Sequence, residues 1–141
     1  MPATKTALDV RHAQEIVKNV FTLLRSYGTL SATPNASELQ KLFAQDFQLI
    51  HNDRKVCNNL NEYAKRLQDL QKLNSQTTYS NLMEEAIVAG NKIVIRYGAE
   101  VNRKSGQKAQ FQIIGILTIA DDKIIQATEV IHEKGSGSFD S

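Results

Sequence analysis

Residues 79–133 read YSNLMEEAIVAGNKIVIRYGAEVNRKSGQKAQFQIIGILTIADDKIIQATEVIHE. From Thr78 onward the apolar side chains recur every second residue, the period of a pleated strand. Four strands are expected in succession: YSNLMEEAIVA, KIVIRYGAEV, AQFQIIGILTIA and KIIQATEVIHE. Gly90-Asn91 and Asp121-Asp122 are two-residue hairpin signals, and NRKSGQK joins the middle pair. In the last strand, alternation puts Ile125, Ala127, Glu129 and Ile131 on one face and Ile124, Gln126, Thr128, Val130 and His132 on the other. The more apolar face therefore carries a glutamate in its middle. Strand 109–120 is apolar on both faces over Ile113–Leu117, which predicts cover on both sides, helices on one and a second copy of the chain on the other.

Upstream the period is helical. Ala13, Ile16, Val17, Val20, Leu24 and Tyr27 form one stripe, predicting a helix from Leu8 to Tyr27 that Gly28 ends. Asn35 with Glu38, and Asn59 with Glu62, have capping-box spacing ahead of helices ASELQKLFA (36–44) and LNEYAKRLQDLQKL (60–73). Between them FQLIH (47–51) alternates as a strand. The order helix, helix, strand, helix, four antiparallel strands is α+β. Residues 1–134 read as a single domain, and the Gly/Ser-rich segment 135–141 as a flexible tail.

The bulk numbers exclude several classes. With 17 basic and 15 acidic residues spread along the chain, the net charge is +2 and no basic face of a nucleic-acid binder is evident. The densest basic clusters, Arg54-Lys55 and Arg103-Lys104 with Lys108, fall in predicted turns. No apolar run approaches the ~18 residues of a membrane span, and MPATKTALDVRHAQE has no signal-peptide core. Cys57 is the lone cysteine, which rules out an internal disulfide and reads as a half-buried structural thiol in a reducing, cytoplasmic setting. His12, His51 and His132 are not at metal-ligand spacing, Glu84 and Glu85 alternate faces, and no Gly-rich phosphate loop occurs; neither metal nor cofactor is implied.

Three stretches, LFAQDFQLIHNDRKVCNNLNEYAKRL (42–67), GNKIVIRYGAEV (90–101) and DDKIIQATEVIHE (121–133), resemble the nuclear transport factor 2-like superfamily, and within it the SnoaL-like and ketosteroid-isomerase-like proteins. The resemblance covers about residues 8–133. It implies a cone-shaped, cystatin-like roll in which three N-terminal helices pack on a curved, mostly antiparallel sheet, commonly a homodimer through the sheet's outer face. Its interior would take Ala127, Glu129 and Ile131 from the last strand and Phe111, Ile113, Gly115 and Leu117 from the one before.

The resemblance also points to chemistry. His51 matches the strand-end position of the general base in ketosteroid-isomerase-like relatives, and an imidazole titrates near neutral pH. The competing reading is a strand-end histidine bonded to backbone or solvent. Glu129 is the candidate acid, since a carboxyl among apolar side chains loses solvation of its charged form; the alternative is a structural ion pair or hydrogen bond. Tyr63 and Tyr97, with Phe111, Gly115, Ala127 and Ile131, are the candidate ligand contacts. Two family features are missing. Gly115 stands where ketosteroid isomerases place a protonated aspartate, and VKNVF (17–21) has no tyrosine. Each such donor is worth ~3 kcal/mol to an oxyanion, so steroid isomerisation by that route is not expected. What remains is a cofactor-free acid/base enzyme acting on a hydrophobic, carbonyl-bearing ligand, or a ligand-binding or dimerisation module of the same fold.

Overall fold

The computed structural model describes residues 8–83 and 86–134. Three helices and seven strands follow in the order α1 (Val10–Gly28), α2 (Ala36–Leu39), β1 (Phe43–His51), β2 (Arg54–Cys57), α3 (Leu60–Leu73), β3 (Asn74–Asn81), β4 (Ile87–Ala89), β5 (Lys92–Arg103), β6 (Lys108–Ala120) and β7 (Lys123–Glu133). Glu84, Glu85 and the tail 135–141 lie outside the described residues.

Asp9 starts α1 by accepting the His12 amide, and Asn35 and Asn59 accept the amides of Glu38 and Glu62 at the next two helices. Glu62 also reaches back past the cap, accepting the amide of Asn58, the residue before it, at 2.8 Å. α1 buries the predicted stripe together with Phe21. Gly28 is the last residue of α1, not a residue beyond it, and its role is close packing. A Cβ there would lie 2.1 Å from the Thr77 carbonyl oxygen of β3, so only glycine lets the helix end approach this strand.

All strands join one sheet in the order β2-β1-β7-β6-β5-β3, with β4 also on β5. β1 runs parallel to β7 and the other neighbours are antiparallel, so the sheet is mixed. This corrects the expectation of a cone-shaped roll. The sheet is open, its edge strands β2 and β3 are not paired with each other, and it is neither closed nor strongly curled. The helices are not all N-terminal to it either, since β1 and β2 precede α3. α1 and α3 supply the apolar cover that a sheet wrapped on itself would otherwise provide.

The core lies between these helices and the inner face formed by residues such as Ile93, Ile95, Ile113, Leu117 and Ala127. Simple alternation fails at Ile124, which is fully buried. The β6–β7 ladder shifts register between Thr118 and Ile119, and this bulge turns Ile124 inward. On the outer face Ile114, Ile116 and Val130 are 54%, 41% and 63% exposed. No helix among the described residues is long and apolar enough to cross a membrane.

Candidate functional site

β1 and β7 are aligned so that His51 and Glu129 are register partners, and β6 places Gly115 opposite Glu129 on its other side. Both side chains of the first pair face α1 and α3, where a cavity of about 270 Å³ opens. α1 contributes Leu24 and Tyr27, α3 contributes Tyr63, Arg66 and Leu67, and the sheet supplies the remaining wall. The lining is mostly aliphatic and aromatic, with a few convergent polar groups, which is the usual composition of a small-molecule site.

Glu129 is 7% exposed, and both of its oxygens are engaged. The Tyr97 hydroxyl donates to Oε2 at 2.7 Å, and His51 Nε2 lies 2.9 Å from Oε1. The other ring nitrogen of His51 faces Arg66, with Nη2 at 3.5 Å from Nδ1, the outer limit of a hydrogen bond. A guanidinium can only donate, so it favours the tautomer with a bare Nδ1 and a proton on Nε2. Assigned in this way, His51 Nε2–H donates to Glu129 and its lone pair lies on the Arg66 side. The strand end is pinned next to this pair. Asn52 donates its amide to the Glu129 carbonyl and accepts the Ile131 amide on Oδ1, both at 2.9 Å.

The structure brings His51, Glu129, Tyr63, Tyr97, Phe111, Ala127 and Ile131 to the one cavity. Gly115 is not in its wall, because Glu129 lies over it. Tyr63 packs edge-on or tilted against Phe43 and Phe47, with ring centres 5.3 and 5.0 Å away, and is held as core on that side. Burial, reinforced by the Glu129 charge, holds the Tyr63 and Tyr97 phenols well above their ordinary range, so both stay protonated donors. Burial likewise pushes Tyr27 and Tyr79 up to about 12. The Tyr27 hydroxyl is buried with no hydrogen-bond partner among the described residues.

The reading of the sequence missed the polar lining residues Arg66, Gln71, Asn74 and Thr77, of which Arg66 is the one that meets His51. It lies three positions after Tyr63 on α3, one turn along the same face, and that spacing was the available signal. Among the described residues no group of three or more His, Cys, Asp or Glu side chains could hold a metal ion.

No protein-family model matches the sequence, and no curated protein matches it. Solved structures do. An NTF2-like protein of unknown function from Exiguobacterium sp. 255-15 is 15% identical with a TM-score of 0.68, covering 83% of this chain and 98% of that one. An LEH-like epoxide hydrolase from M. tuberculosis is 10% identical with a TM-score of 0.65, covering 87% and 84%. A protein with a ketosteroid isomerase-like fold from Catenulispora acidiphila, in complex with trimethylamine, is 15% identical with a TM-score of 0.63, covering 82% and 83%.

The chain has the nuclear transport factor 2-like fold. SnoaL-like and ketosteroid-isomerase-like relatives share it, as the sequence resemblance implied. At these identities the likeness is one of fold, and the activities of the relatives remain theirs.

Proposed function

We propose that this cavity binds a hydrophobic, carbonyl-bearing small molecule and that His51 and Glu129 perform cofactor-free acid/base chemistry on it. The observation that carries this reading is the 2.9 Å contact between His51 Nε2 and Glu129 Oε1 at the wall of an apolar cavity. The hydrogen-bond pattern supports roles different from the simplest assignment of Glu129 as acid. With Tyr97 and His51 both donating to it, Glu129 acts as a fixed carboxylate that orients the imidazole and stabilises its protonated form. His51 then accepts a proton through Nδ1 and returns it.

The test uses octan-2-one as a plain carbonyl probe in D₂O. Binding should raise the thermal midpoint, and bound ketone should gain deuterium beside its carbonyl. His51→Gln and Glu129→Gln should keep the midpoint shift and lose the exchange. Binding without exchange in the unaltered protein would overturn the catalytic reading.

That outcome would leave the second reading, a non-catalytic ligand-binding or dimerisation module. Two observations favour it: both oxygens of Glu129 are already taken, and the outer sheet face exposes Ile114, Ile116 and Val130. A homodimer through that face is compatible with either reading.

A further inference from the structure

We propose that the cavity takes an amphipathic carboxylate, with Arg66 as the residue that binds its head group. The proposal rests on the reading that an apolar ligand occupies this cavity, and it names the class of that ligand. Arg66 is half-buried in the cavity wall and carries five N–H donors. Among the described residues its one hydrogen bond is the 3.5 Å contact to His51 Nδ1. Among the described residues it forms no ion pair. The carboxylates that could have neutralised it are committed elsewhere. Glu62, one turn earlier on α3, accepts from the Asn58 amide and side chain at 2.8 and 3.2 Å. Glu129 is held by His51 and Tyr97.

The cavity therefore shows an incoming molecule one cation without a counter-ion and one anion whose donors are already in place. A charge withdrawn from water is costly unless paired, and this one borders apolar surface from Leu67 and Leu70. A planar guanidinium matches a carboxylate with two parallel hydrogen bonds. A ligand whose chain fills the apolar space and whose carboxylate meets Arg66 satisfies both surfaces at once. It would also lie beside His51 Nδ1, the nitrogen that carries the lone pair.

The experiment is an NMR titration of the full chain with three probes of equal chain length: octanoate, octan-1-ol and octylammonium. Octanoate should bind on the order of tenfold more tightly than octan-1-ol, the value of one charge-assisted pair, and octylammonium most weakly. Arg66→Gln should abolish the octanoate advantage while octan-1-ol binds as before, which also certifies that the variant is folded. Arg66→Lys should keep part of the advantage. Equal affinity for octanoate and octan-1-ol would overturn the proposal and leave the apolar cavity standing. A preference for octylammonium would overturn it too, by showing that Glu129 selects the head group. Binding of none of the three would overturn the cavity reading itself.

Discussion

Gly115 and Glu129 face each other across the β6–β7 ladder, and the space the glycine leaves is where the glutamate lies. A Cβ on residue 115 would sit 3.0 Å from Glu129 Cγ and 3.4 Å from Oε2. β5 and β7 flank β6, so Tyr97 must reach across that middle strand to donate to Glu129. A side chain at residue 115 would obstruct the path. The glycine that departs from the ketosteroid isomerase pattern is thus part of what lets a different carboxyl network form. Gly115→Ala should cost about 1–3 kcal/mol as an overpacking change and weaken the Tyr97–Glu129 bond. A urea double-mutant cycle checks it: the cost should largely vanish when Glu129→Ala has removed the colliding side chain. An undiminished cost there would locate the strain in the backbone.

Tyr97 donates to a carboxylate oxygen that no other group among the described residues serves, and both side chains are buried. Tyr97→Phe keeps the ring and its edge-on contact with Phe21 but leaves Glu129 Oε2 bare. We expect a loss of about 1–3 kcal/mol in chemical denaturation, the usual cost of an unsatisfied buried acceptor. Adding Glu129→Leu should return much of it, because charge and orphaned acceptor leave together. Additive losses would contradict the coupling.

Much of this arrangement was legible in the sequence wherever local chemistry and packing agree. α3 spans Leu60–Leu73 as its cap and stripe predict, and the face carrying Ala127, Glu129 and Ile131 is the one alternation selects. The misreadings arise where long-range contacts overrule local pattern. Helix 36–44 was expected from the Asn35–Glu38 capping-box spacing, which fixes where a helix starts but not where it ends, and α2 stops at Leu39. Phe43 instead opens β1 and packs edge-on against Phe47 and Tyr63, with ring centres 4.8 and 5.3 Å away. β2 was hidden because Arg54-Lys55 read as a turn. The turn is Asn52-Asp53, both at positive φ, and asparagine and aspartate adopt that conformation more readily than most residues. β3 was only half seen, since its edge-strand sequence NSQTTYSN has almost no apolar alternation to detect. The expected strand 79–89 contains parts of two, β3 and β4.

All four tyrosines of the chain carry raised phenol pKa values, Tyr27 and Tyr79 up to about 12 and Tyr63 and Tyr97 well above the ordinary phenol range, with burial as the leading cause. In the unfolded chain each titrates near 10. Between those values the native state holds protons that the unfolded state releases, so stability falls as pH rises through the window and is unaffected by the phenols below it. The slope is at most ~1.4 kcal/mol per pH unit for each tyrosine. Absorbance at the tyrosinate band should stay flat past pH ~10 in native protein and rise near ~10 in denaturant. The absence of tryptophan keeps that signal clean. A native titration centred near ~10 would contradict the burial of the rings.

Cys57 is fully buried at the end of β2, not half-buried as its isolation in the sequence suggested. Burial pushes its thiol pKa up, against a smaller opposing effect from the Arg66 charge, and a thiol kept protonated is a poor nucleophile. A disulfide reagent should therefore label it only as fast as the protein opens. We expect labelling in native buffer to be slower than in denaturant by a factor approaching the unfolding equilibrium, and to accelerate in Tyr97→Phe as stability drops. Rapid labelling of native protein would place the thiol at the surface.

The outer sheet face yields the last prediction. Ile114 and Val130 are cross-strand partners, Ile116 pairs with Thr128 one step along, and all three apolar side chains point away from the helices. Contiguous exposed apolar surface on a sheet is characteristic of an interface, and a two-fold contact would bury each patch against its own copy. Light scattering should give twice the 15.8 kDa protomer mass at micromolar concentration. Ile114→Lys would place like charges close together across a two-fold axis and should yield monomer. Because residue 114 is exposed within the protomer, the monomer's own stability should change by no more than about 0.5 kcal/mol. A protein that is monomeric without the substitution would remove the interface, and it would leave the cavity and its His51–Glu129 pair to be judged on their own tests.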